Sequence, residues 1–288
     1  MPEGRPGLSP EPGPGQAAPA APGGGAPQGR PQPGPSLPGF AVPDLAPSPD
    51  ALPPGRPGGE PPATPAAPSG AAGIAAAMRQ ALAASSCALV SGSAGDQGGV
   101  LGGAVRRGES ASLAASLQRA GLPAGAVRLE LQEFIGPYCP LAPVLAPFLA
   151  PPGAAPVLRR DGGTPLLQGD LLRLDIVMPQ APSYLELIYL TTDGQVVQLQ
   201  PPEAQAAGAR LRKGDPGPGF PGWVVEEPFG TDLLLVITSD RPVFPAGRPV
   251  VQPIAEFTAL AQQSLQRLRQ EGGRAEIRPL VVTVAPRR

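Results

Sequence analysis

Between Gly169 and Asp240 apolar and polar residues alternate in short segments separated by turn residues. The stretch reads GDLLRLDIVMPQAPSYLELIYLTTDGQVVQLQP and, after a glycine- and proline-rich break, EEPFGTDLLLVITSD. Period-two alternation puts successive side chains on opposite faces, which is how half-buried antiparallel strands are written. It is the best-patterned β region of a chain otherwise rich in alanine, proline and glycine, and it directs the reading toward a sheet protein.

Strand by strand, Leu172, Leu174, Ile176 and Met178 share one face, with Arg173 and Asp175 on the other. Leu185, Leu187 and Tyr189 alternate with Glu186 in the next segment. Asp193-Gly194 is a strong hairpin signal, because a type I′ turn needs positive φ at both central residues. It leads into QVVQLQ, which Pro201 and Pro202 are expected to end. ARLRK, WVVEE and LLLVITS supply further strands. IAEFTALAQQSLQRLRQEGG is a helix with Ile254, Phe257, Ala261, Leu265 and Leu268 on one stripe, stopped by Gly272 and Gly273. AEIRPLVVTVA is a last strand. Six or seven short strands of this kind predict an antiparallel β-sandwich over residues 156–288, its one helix covering an open edge or an end.

Upstream, residues 71–155 predict a small α+β domain. AAGIAAAMRQALAASS is helical, with Ile74, Met78 and Leu82 on one face. CALVSG and VLGGAV are strands around a glycine-rich turn. ESASLAASLQRAG is a helix with Ser110 as N-cap and Gly121 as its stop. VRLELQEFI is a third strand, with Phe134 out of step with Val127, Leu129 and Leu131. PYCPLAPVLAPFLA is a short Pro-started helix that Pro143 and Pro147 interrupt. The order is β-β-α-β, and the fold class is α+β.

Residues 1–70 differ in kind. They hold 22 of the 45 prolines and few large apolar side chains. Such a segment buries too little to offset ordering its backbone, at roughly 1–2 kcal/mol per residue, so a disordered Pro/Gly/Ala-rich linker is expected. The 22 basic and 23 acidic residues nearly cancel, and no long basic run exists. That balance argues against nucleic acid as a partner.

Histidine is absent. Ser-His-Asp and Cys-His catalysis, HExxH zinc hydrolysis and Cys/His zinc fingers all need an imidazole. Two cysteines are too few for a four-thiolate zinc site. No metal or cofactor is therefore expected. Gly217, Gly219 and Gly222 match GxGxxG on spacing, but Pro218 and Pro221 lack the N–H a phosphate loop offers, and no helix follows. No run of 18 uncharged apolar residues occurs, so no membrane span is expected. MPEGRPGLSP is unlike a secretion signal. Read as complete, the chain is cytoplasmic; read as the tail of a membrane-anchored protein, it is periplasmic.

Cys87 opens a strand and Cys139 follows the third. If those strands are neighbours the two can form a disulfide closing a loop of about 50 residues; the alternative is two buried thiols. That the only two cysteines fall in one domain favours the bridge. Glu226 and Glu227 are adjacent, and on a strand they point to opposite faces, a poor acid/base dyad. Trp223, with Phe220 and Phe229, either plugs the sandwich or lines a ligand surface. Burial is favoured, and Phe220 and Trp223 are the ligand-surface candidates.

GDLLRLDIVMP, SYLELIYLTTDGQVVQLQPPE and PFGTDLLLVITSDRPVF together resemble a bacterial C-terminal domain of unknown function, appended to proteobacterial serine/threonine protein kinases and caspase-like peptidases. Its strand-turn-strand, here with Asp193 and Gly194 at the turn, ends in a Leu-x-Pro step matched by Leu199, Gln200 and Pro201. Its Phe-Gly-Thr-Asp signature is matched by Phe229, Gly230, Thr231 and Asp232. Pro202 replaces the family's usual asparagine. CALVSG through FIGPYCPLAPVLAPFL is similar to the cysteine-bearing domain preceding it in the kinase versions, so the resemblance spans roughly residues 75–285. It implies a noncatalytic sensor or interaction module with a protein or small-ligand partner, since no kinase Gly-rich loop, HRD or DFG is present. The alternatives are a freestanding cell-envelope structural protein and, weaker, a hydrolase using only carboxylates. A ligand is expected where the Phe-Gly-Thr-Asp corner meets the Pro201–Gly222 loops.

Overall fold

The computed structural model describes residues 68–287 apart from 155, 156 and 162. The linker expected over residues 1–70 lies, as far as residue 67, outside the described residues. Order begins with helix α1 (Gly70–Ala83), whose alanine-rich sequence buries Ile74, Ala77, Met78 and Ala81 on one face. Strands β1 (Ala88–Gly95) and β2 (Gly98–Arg106) form an antiparallel hairpin. Helix α2 (Glu109–Arg119) then carries the chain to β3 (Val127–Phe134), which pairs parallel to β2. The β-β-α-β order is the expected one. The cap of α2 is different: left-handed Gly108 occupies the N-cap, and Ser110 lies inside the helix. Gly121 stops it in the left-handed conformation, as its position implied.

The three-stranded sheet is covered on both sides. Val90, Leu101, Val105 and Val127 pack under α1 and α2. Leu89, Ala104 and Phe134 face the other way, into a core shared with the downstream sheet. Phe134 breaks phase with Val127, Leu129 and Leu131 because it serves that second core. A 3₁₀ turn (Cys139–Leu141), the one-turn helix α3 (Ala142–Leu145) and a second 3₁₀ turn (Ala146–Phe148) follow, each with a proline in its first turn. Pro143 and Pro147 thus divide the segment as expected.

The rest of the chain builds two sheets. Strands β4 (Val157–Asp161), β6 (Arg173–Val177) and β9 (Arg210–Lys213) make a small antiparallel sheet in the order β4-β6-β9. The larger sheet contains β5 (Leu166–Leu167), β7 (Ser183–Leu190), β8 (Gln195–Gln205), β10 (Gly230–Ser239), β11 (Val251–Pro253) and β12 (Ala275–Ala285). Its order is β11-β8-β7-β10-β12-β5, antiparallel except for the two-residue pairing of β5 with β12. Leu174 and Ile176 of the small sheet pack with Leu185, Leu187, Leu234, Val236, Val282 and Val284 of the large one, forming the sandwich core.

Helix α4 (Ile254–Gln270) covers the opposite face of the large sheet, not an edge or an end. Its Phe257, Ala261, Leu265 and Leu268 lie on Ile188, Leu190, Leu233, Leu235 and Ile237. The central strand β10 is therefore buried on both faces. Odd-numbered Leu233, Leu235 and Ile237 serve one core, and even-numbered Leu234 and Val236 serve the other. Burying each such side chain contributes roughly 1.5–3 kcal/mol, which makes this strand the stable centre of the fold. An all-apolar run between two covering layers is the physical reason that LLLVI lacks alternation.

Two further expectations yield to local geometry. Pro201 and Pro202 do not end β8, which runs on to Gln205. Between the pairs Leu185↔Glu203 and Leu187↔Gln200 the register shifts, so a bulge carries the prolines where no ladder N–H is needed. WVVEE is not a strand; only a single bridge, Leu171↔Val224, forms there. Left-handed Gly222 and the nearby Pro221 and Pro228 turn the segment into a loop lying over the sheet.

Candidate functional site

The Phe-Gly-Thr-Asp corner sits where β10 begins, and its residues divide by strand alternation. Gly230 passes close to Thr192: an added Cβ would lie 2.8 Å from the Thr192 hydroxyl oxygen. Thr231 points toward the upstream region. Its hydroxyl accepts from the Ile135 N–H at 2.6 Å and donates to the Ile135 carbonyl at 2.7 Å. Tyr138, wholly buried, donates to the Thr231 carbonyl at 2.8 Å, so the corner is also the joint between the two parts of the fold. Burial and the nearby carboxylates of Asp232 and Asp193 push the Tyr138 phenol well above its ordinary range.

Asp232 points to the sandwich face and is 2% exposed. Its Oδ2 accepts from the Tyr189 hydroxyl at 2.6 Å, and its Oδ1 accepts from the Thr192 N–H at 2.8 Å. Burial raises its carboxyl from 3.8 to about 6, and Asp193 adds to the rise, against the lowering effect of the Tyr189 and Thr192 bonds. The same burial, with Asp232 beside it, pushes the Tyr189 phenol far up.

Thr192 belongs to the β7–β8 hairpin. Gly194 is left-handed (φ 87°) and its N–H donates to the Thr191 carbonyl at 2.9 Å. Thr192 and Asp193 are thus the turn's centre, and Gly194 closes a three-residue loop in place of the two-residue type I′ turn. This longer loop is what lets the Thr192 N–H face Asp232.

Above the Asp232–Tyr189 pair lies a cleft of about 360 Å³. Its floor and walls come from the large sheet through Tyr189, Thr191, Val197, Leu199, Asp232 and Val284, and its cover is the Gly222–Pro228 loop. Trp223, half-buried, reaches from that loop onto the sandwich core. The loop is pinned by backbone bonds from Leu172 to the Trp223 carbonyl at 2.8 Å and from Val225 to the Asp170 carbonyl at 2.8 Å.

Of the residues singled out in the sequence, Leu199, Trp223 and Asp232 meet in this cleft, and Glu226 and Glu227 stand exposed at its rim. Phe220 is 43% exposed where it closes the Gly217–Phe220 turn and is not among the cleft's lining residues, so it neither plugs the core nor faces this space. Phe229 packs against the sandwich core. Pro201 sits in the β8 bulge. Cys87 and Cys139 form a disulfide, with 4.8 Å between their Cα atoms and a sequence separation of 52. Sequence reasoning missed Tyr189 as the partner of Asp232. The signal was its place on the same alternating face as Leu185 and Leu187.

Among the described residues, no helix is long and apolar enough to cross a membrane, and no group of three or more acidic or cysteine side chains is arranged to hold a metal. Comparison with protein-family models, with curated proteins and with solved structures finds no match.

Proposed function

We propose that the chain is a noncatalytic sensor and interaction module, an accessory region of a bacterial serine/threonine kinase-type signalling protein, and that its ligand enters the cleft beneath Trp223. The observation that carries this reading is the cleft itself: apolar walls, a buried carboxylate bonded to a half-buried tyrosine at the floor and a single aromatic cover, the usual make-up of a small-molecule site. The resemblance of the strands and of the Phe-Gly-Thr-Asp corner to the kinase-appended domain supplies the signalling context. Absence of histidine and of kinase motifs from the sequence supports a role without phosphotransfer.

The carboxylate-hydrolase reading draws on the same cleft, because Glu226, Glu227 and Asp232 all line it. It is the weaker one. Each Asp232 oxygen already accepts a hydrogen bond, and the two glutamates are exposed.

Trp223 is the only tryptophan, so its emission reports on the cleft alone. A screen of small metabolites against the full chain should yield ligands that shift or quench that emission in a saturable way. A phosphotransfer assay with ATP should stay blank. Robust turnover in that assay, or a screen in which no compound moves the emission, overturns the reading.

A further inference from the structure

We infer that the cleft takes a small organic cation: a protonated amine or quaternary ammonium group carried on an apolar body of a few carbons. The inference rests on the reading of the cleft as a ligand site and adds the chemical class of its occupant.

Charge decides the class. Three carboxylate residues line the cleft, Glu226, Glu227 and Asp232, and among the described lining residues there is no arginine or lysine to balance them. An anionic ligand meets uncompensated repulsion there. A neutral apolar ligand fills the walls but leaves the Asp232 carboxylate at the floor with no added counter-charge, in surroundings where poor solvation strengthens any electrostatic interaction. A cation relieves that state.

The walls select the rest of the molecule. Leu172, Val197, Leu199, Val225 and Val284 are apolar, so the body that carries the charge is hydrocarbon. Trp223 and Tyr189 supply two aromatic rings at the same cleft, and ring faces attract cations, most strongly when water is excluded. At about 360 Å³ the space is near the lower end for small-molecule sites, of order 300–1,000 Å³, which suits a simple amine better than a nucleotide or a peptide.

The floor carboxyl titrates at about 6. Burial is what raises it; Tyr189 and the Thr192 N–H, which bond it, lower it, the carboxylate of Asp193 adds to the rise, and the phenol of Tyr138 lies nearby. Protonation removes one of the three negative charges, so cation binding weakens as the pH falls through about 6.

Hexylamine, 1-hexanol and hexanoate share one carbon chain and differ in head charge. Titrated into the full chain at pH 7.5 with Trp223 emission as readout, hexylammonium should act at a concentration at least about tenfold below hexanol, and hexanoate should act least. The exposed pair Glu226→Gln/Glu227→Gln should narrow that gap without disturbing the fold, and Asp232→Asn should narrow it further and abolish its pH dependence. Equal responses to amine and alcohol overturn the cationic class while leaving the cleft as a ligand site. No response to any of the three overturns both.

Discussion

Tyr189 on β7 donates its phenolic hydrogen to Oδ2 of Asp232 on the neighbouring strand β10 across 2.6 Å. The two side chains share the sandwich face of the large sheet, and Asp232 is held there by burial that disfavours its charge. With the folded carboxyl at about 6 and the ordinary value at 3.8, the folded state keeps a proton that the unfolded chain has already released between those pH values. Stability from this group is therefore fully present below about pH 4 and is lost as the pH rises through 6. The shift corresponds to up to about 3 kcal/mol. Urea unfolding of the wild type and of Asp232→Asn between pH 3.5 and 7.5 measures it: the wild type should lose stability relative to the variant across that window and level off above it. A pH-independent difference would show that burial does not control the carboxyl.

The Cys87–Cys139 bridge ties the start of β1 to the turn after β3. Its 52-residue separation makes the reduced, unfolded chain markedly freer. Cys87→Ala/Cys139→Ala should therefore cost about 2–4 kcal/mol in urea unfolding. Reductant should lower the wild type toward the variant and leave the variant unchanged. Peptide mapping without reductant should find neither cysteine alkylated; two labelled thiols would sink the assignment.

What was legible in the sequence followed from periodicity. The stripe Phe257, Ala261, Leu265 and Leu268 and the alternation of Leu172, Leu174, Ile176 and Met178 each named an element and its buried face, because one side of each meets one core. Strands buried on both faces lose that signal. LLLVI therefore announced a strand but not that α4 would lie on its far side. Phe134, out of phase in β3, was the one sequence trace of the core that joins the two regions. Local chemistry misled where tertiary pairing prevailed: the bulge opposite Leu185–Leu187 accommodates Pro201 and Pro202, and Gly222 bends WVVEE out of the sheet. The cleft was half legible. Trp223 and Asp232 were named, but residues 43 apart in sequence meet only through strand register, so Tyr189 read as a strand residue and not as the partner of Asp232.

Glu186 and Arg248 form an ion pair at 2.9 Å with each side chain 3% exposed. Arg248 lies 5.3 Å from the Phe244 ring centroid and 5.9 Å from that of Phe257, and Gln198 also donates to Glu186. Burial raises the Glu186 carboxyl, opposed by its bond to Arg248. Removing one partner leaves the other charge buried, so Arg248→Met and Glu186→Met should each cost about 3–5 kcal/mol. The double variant Glu186→Met/Arg248→Met should recover most of that loss, a coupling that a urea double-mutant cycle measures directly. Additive costs would mean that the two charges act independently.

Gly214 controls the cleft's cover. It is left-handed (φ 93°), and a Cβ there would run into the Leu172 carbonyl oxygen and come within 2.8 Å of Cε3 of Trp223. A left-handed alanine alone costs roughly 1–2 kcal/mol, and here the backbone contact leaves no room to relax without moving the loop. Gly214→Ala should therefore destabilise by more than that and shift the emission of Trp223 as its ring leaves the sandwich core. Gly219 is the control: it too is left-handed (φ 74°), but nothing lies within 4 Å of an added Cβ. Gly219→Ala should cost only the conformational strain of about 1–2 kcal/mol and leave the emission maximum in place. If both variants shift Trp223 alike, or neither does, Gly214 does not set the position of the cover.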